Sequence, residues 1–106
     1  MQARTYVARL LALYRKLPGT LGRILRDDHH TARALHNRGV PLDTVERAFV
    51  LAIARRTLRS DADRLEPVRA LRYFLPVVQE IVQQPPLPEY LDYLRLRLRN
   101  AGIRIP

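Results

Sequence analysis

Apolar residues recur along most of the chain at intervals of three and four, the period of helices packed on a common core. In the first segment Val7, Leu10, Leu11, Tyr14 and Leu17 share one face, while Arg4, Ala8, Arg9, Ala12, Arg15 and Lys16 take the other. Pro18-Gly19 stops this helix, and Leu21, Ile24 and Leu25 are expected to pack a short turn onto the core. A second helix is expected from His29 to Arg38, capped by Asp27 and Asp28 and closed by Gly39. The third, near 41–59, is the best marked. Pro41 belongs in its first turn, Asp43 and Glu46 bring negative charge to its start, and Arg55, Arg56 and Arg59 bring positive charge to its end. Its run from Ala48 to Ala54 is apolar almost all round, so it should be the central helix, contacted from several sides.

Ser60-Asp61-Ala62-Asp63 reads as a loop, and a fourth helix is expected over 67–84. Pro76 lies inside that range and removes a backbone donor, yet Val68, Ala70, Leu71, Phe74, Leu75, Val77, Val78, Ile81 and Val82 keep one apolar face across it. The pattern predicts one helix, kinked on its solvent side. Pro85, Pro86 and Pro88 form a stiff linker, and Glu89 to Asn100 is a last helix ended at Gly102. Leu94 to Arg99 also alternates with the period of a strand, but no partner strand is readable elsewhere, so helix is preferred. The expectation is an all-α, compact bundle of about five helices in one domain spanning 1–106.

Composition narrows what such a bundle does. The 106 residues carry 19 Lys+Arg against 10 Asp+Glu, a formal charge of +9, and no cysteine or tryptophan. That balance calls for a polyanionic partner, nucleic acid first, although an arginine-rich composition also follows from a GC-rich genome. Without cysteine there is no disulfide framework, thiolate metal site or thiol nucleophile, and a cytoplasmic setting fits. No run approaches 18 apolar residues, so no membrane span is expected. The acid-free stretch from residue 1 to 26 has the charge of an organelle presequence, but its amphipathic face suits core docking better.

Catalytic chemistry is hard to place. Asp27, Asp28, His29 and His30, with His36 nearby, are the one cluster of metal-ligand types, and His29 and His36 stand roughly 10 Å apart along a helix, too far for one ion. The ordinary reading is an acidic helix start followed by exposed histidines. Ser60 is the sole serine, and the four glycines form no phosphate-cradling loop. A non-enzyme without metal or cofactor is therefore expected. Thr31 to Ala48 has the spacing of a helix-turn-helix, but Asp43 and Glu46 would face the phosphates, so a plain helical hairpin is favoured.

The arginines are a better guide. Antiparallel packing should bring Arg55, Arg56 and Arg59 beside Arg69 and Arg72 as a five-arginine corner, with Arg9 and Lys16 of the first helix as further anion contacts. Two alternatives stand beside this one: the arginines pair with Asp61, Asp63 and Glu66, and Tyr73, Tyr90 and Tyr93 are core-edge residues instead of platforms for unpaired bases.

Gly39-Val40-Pro41-Leu42-Asp43-Thr44-Val45-Glu46-Arg47-Ala48, followed by Leu71-Arg72-Tyr73-Phe74-Leu75-Pro76-Val77-Val78-Gln79-Glu80-Ile81, resembles the helical C-terminal module of bacterial and phage replication proteins of the DnaD type. There a second helix carries a Tyr-x-x-x-Ile-like signature, whose place Tyr73, Val77 and Ile81 would take. The resemblance implies a small replication or mobile-element accessory protein that contacts DNA and other proteins through this helix pair. The expected function is nucleic-acid backbone binding; the alternative is an interaction adaptor or small subunit of a larger protein or ribonucleoprotein complex, of open oligomeric state.

Overall fold

A computed structural model describes all 106 residues and contains five α-helices: α1 (Ala3–Arg15), α2 (Arg26–Asn37), α3 (Leu42–Thr57), α4 (Leu75–Gln83) and α5 (Pro88–Asn100). Two short 3-10 turns, Ala62–Arg64 and Leu71–Phe74, fill the connection between α3 and α4. The radius of gyration is 13.4 Å, close to the ~13 Å of a compact chain this long. The expected all-α bundle is what forms. No helix is long and apolar enough to cross a membrane.

α3 is the central helix, packed by α1, α4, α5 and both 3-10 turns. Every residue from Ala48 to Ala54 is buried, as an apolar run with no polar stripe requires. Phe49 and Phe74 meet edge to face at 4.9 Å between ring centroids, and Tyr14 joins Phe74 at 6.1 Å. All 25 buried apolar residues form one cluster. α1 buries Tyr6, Val7, Leu10, Leu11 and Tyr14, and the Tyr6 hydroxyl donates to the Val40 carbonyl at 2.8 Å, fixing the α2–α3 turn against α1. Gly39 sits in that turn at φ +74°, a left-handed conformation that a side chain disfavours.

The fourth segment departs from expectation. Residues 67–70 are not helical: Ala70 is extended, and Val68 forms an isolated parallel bridge with Thr20. The Val68 N–H donates to the Gly19 carbonyl at 2.7 Å, and the Leu21 N–H donates to the Val68 carbonyl at 3.2 Å. Val68 thus joins the common apolar cluster from an extended stretch paired with the α1–α2 loop. Pro76 lies in the first turn of α4, where a missing N–H breaks no intrahelical bond, so the expected kink is absent. Val82, expected on the inner face, is exposed.

Helix starts differ in smaller ways. Pro41 caps α3 from just outside, and Pro88 opens α5. α2 begins at Arg26, ahead of both aspartates, so they occupy its first turn instead of preceding it. Asp28 reaches back: one carboxylate oxygen accepts the Leu25 N–H at 2.8 Å, while the other accepts the Leu71 N–H at 2.9 Å. At 1 % exposure it is the one buried charged residue, and its two backbone bonds join α2 to the connection leading into α4.

Candidate functional site

The arginine corner forms in part. Arg55 and Arg56 in the last turn of α3, with Arg59 just beyond, line a depression of about 270 Å³ together with Leu65, Tyr73 and Val77. Arg55, Arg56 and Arg59 meet because they end one helix, and α4 packs beside it. Arg69 and Arg72 do not join them. Arg72 turns to α2, where its Nη1 donates to an Asp27 carboxylate oxygen at 3.0 Å, and Arg69 lies exposed on the extended stretch without an ion pair.

Carboxylates occupy much of the corner. The Arg55 guanidinium forks onto Glu80 of α4 at 2.9 and 2.6 Å, and Arg59 binds both carboxylate oxygens of Asp61. These hydrogen bonds hold the carboxyls of Glu80 and Asp61 below their ordinary range and raise both arginines further. Arg56 has no carboxylate. It donates to the Glu66 backbone carbonyl and to the Tyr73 hydroxyl, and its guanidinium carbon stands 5.6 Å from the Tyr73 ring centroid. Of the partners named from sequence, only Asp61 is used; Glu80 and Asp27 come from other helices. Both fork pairs are half exposed, where such pairs contribute little stability, so a phosphate can compete for these guanidiniums. The displaced carboxylates would remain close and oppose it.

Arg9 and Lys16 lie elsewhere, around a second depression of about 290 Å³ between α1 and α3 that also touches Leu42 and Glu46. Neither has a carboxylate within 4 Å. Leu13 and Glu46 also line a larger cleft, about 450 Å³, which continues toward α5 and carries Arg95, Arg99 and Arg104. Arg104 was missed in the sequence reading; its signal is the Ile103-Arg104-Ile105 alternation just past the last helix. The seven candidate cations thus divide between two faces, with Arg69 and Arg72 on neither.

Other readings resolve plainly. No three His, Asp or Glu side chains converge as metal ligands, Asp28 is committed to backbone amides, and His36 packs edge-on against Tyr6. The second helix of the helix-turn-helix spacing, α3, is buried from Ala48 to Ala54, and its first turns expose the acidic Asp43 and Glu46. Tyr73, Tyr90 and Tyr93 are about half exposed; Tyr73 lies in the arginine depression, while Tyr90 and Tyr93 stack together on α5. Comparison with known protein families, curated proteins and solved structures found no match.

Proposed function

We propose that this chain is a non-catalytic nucleic-acid-binding accessory protein that contacts the phosphate backbone, in keeping with its resemblance to DnaD-type replication modules. One observation carries the reading: five of the 19 cationic side chains stand in ion pairs, and the rest have no carboxylate within 4 Å. Arg56 with Tyr73 offers a guanidinium beside an exposed ring, and Arg9 with Lys16 offers a second, unneutralised contact. Fluorescence anisotropy with mixed-sequence single- and double-stranded oligonucleotides tests it. Neutralising four phosphates gives a log–log salt slope near −3.6 on duplex, a loss of ~150-fold between 50 and 200 mM salt. Arg55→Ala with Arg56→Ala, and separately Arg9→Ala with Lys16→Ala, should each flatten that slope. No binding at 50 mM salt refutes the reading.

A second reading, an interaction adaptor, is favoured by α5. Its outer face leaves Tyr90, Tyr93 and Leu96 each about half exposed, with Leu87 beside its start. The accessible surface of 7026 Å² exceeds the ~6,100 Å² of a typical monomer of this mass by about 900 Å². That excess is close to the ~800 Å² one partner contributes to a standard interface. Tyr93→Glu should abolish any complex made through this face, as read by light scattering, and leave oligonucleotide binding intact.

A further inference from the structure

The cleft between α1, α3 and α5 has a chemistry that phosphate-backbone binding does not use. Leu13 and Leu17 from the end of α1, Phe49 and Val50 from α3, and Leu98 from α5 make its floor. Ile103 and Ile105, half buried, make a wall where the chain folds back after Gly102 turns it at φ +76°. Such a floor offers a sugar or phosphate no hydrogen-bond partner, whereas it suits an aliphatic body. At about 450 Å³ the space has the size of a small-molecule site, and it is too small to seat a helix some 10–12 Å across.

The rim is charged with one sign in excess. Among the lining side chains, Arg95, Arg99 and Arg104 stand against a single acidic one, Glu46. Arg95 shares its charge with Asp92 one turn away at 3.6 Å, but Arg99 and Arg104 have no carboxylate within 4 Å, and neither has Glu46 a cation. An apolar floor beneath two unpaired guanidiniums complements a molecule with an aliphatic chain and one anionic head. Planar forked donors match a carboxylate in shape as well as charge.

We propose that this cleft binds a medium-chain aliphatic carboxylate, its chain lying on Leu13, Leu17, Phe49, Val50 and Leu98 and its head held by Arg99 and Arg104. Glu46 opposes the head and limits affinity. The site shares no residue with the arginine depression at the end of α3, and it borders the Arg9 and Lys16 depression only through Leu13 and Glu46.

Isothermal titration with hexanoate, octanoate and decanoate, together with amide chemical-shift mapping, tests the proposal on the whole chain. Binding should saturate, shift the amides of Phe49, Val50, Leu98 and Ile103, and tighten about fourfold for each methylene buried. Arg99→Gln with Arg104→Gln, both on exposed side chains, should weaken octanoate at least about tenfold, while octanol binds as before and shows the cleft intact. Glu46→Gln should tighten octanoate and weaken octylamine. The proposal is overturned if no carboxylate saturates, if octylamine binds as well as octanoate, or if the double arginine variant keeps its octanoate affinity.

Discussion

Replacing Asp28 by alanine should be among the most destabilising single changes at any polar position in this protein. Its carboxylate is buried, faces no basic side chain within 4 Å, and is held by the N–H groups of Leu25 and Leu71 with the positive end of α2 behind them. Each bond from a neutral donor to a charged acceptor contributes about 1.5–3 kcal/mol. Asp28→Ala removes two of them and leaves the Leu71 amide inside without a partner, a further ~1–3 kcal/mol. Relief from burying a charge offsets part of this, so the net loss should be about 3–4 kcal/mol, a large share of the ~5–15 kcal/mol typical of a small domain. Urea unfolding followed by circular dichroism reads it directly: with m near ~1.5 kcal/mol/M, the midpoint should fall by about 2 M. Asp28→Asn should fall between, because its amide nitrogen meets one of the two N–H donors head on. The neighbouring Asp27→Ala is the control, since an exposed pair with Arg72 contributes under ~1 kcal/mol. If the two alanine variants shifted the midpoint equally, the reasoning would be wrong.

Three further outcomes are expected. Gly39→Ala should cost roughly 1–2 kcal/mol, read in the same urea assay, because nothing crowds an added methyl and the whole penalty is the left-handed backbone. Burial raises the Tyr6 hydroxyl and pushes that of Tyr14 up to about 12, the nearby Asp28 charge adding to the Tyr14 shift. A raised acid stabilises the fold in full below its ordinary 10.0 and loses that contribution as pH climbs toward the folded value, so above pH 10 the melting temperature of the native chain should fall more steeply than that of Tyr14→Phe. Glu80 has the opposite sign: its contribution is complete above the ordinary 4.5 and is lost as pH falls through the lower folded value. Melting temperature measured from pH 6 to 2 should therefore drop more for the native chain than for Glu80→Gln.

The helices that carry a regular apolar stripe were readable from sequence because burial and period agree. α1 hides the face that its spacing defines, and α3 hides every residue of its continuous apolar run. The reading failed over 67–74, where an extended stretch and a 3-10 turn happen to keep apolar residues at helical intervals. Val68 is buried on an extended stretch whose backbone pairs with Thr20, a bridge across 48 residues that no local pattern encodes. The site fared similarly. Arg55, Arg56 and Arg59 meet because they end one helix, whereas the carboxylates that claim Arg55 and Arg72 lie 25 and 45 positions away in the chain. Asp28 did leave a trace: it is in register with Ala32 and Leu35, the buried face of α2, and a carboxylate on that stripe must find donors inside.

The small bridge between Thr20 and Val68 ties the turn after α1 to the segment before α4, and those two connections are otherwise the stretches with the least regular structure. Neither can come away alone without breaking the bonds of the other. Deuterium uptake at the amides of Leu21 and Val68 should consequently proceed at matched rates, set by one shared opening event, and Pro67→Gly, which loosens only the later connection, should speed both together.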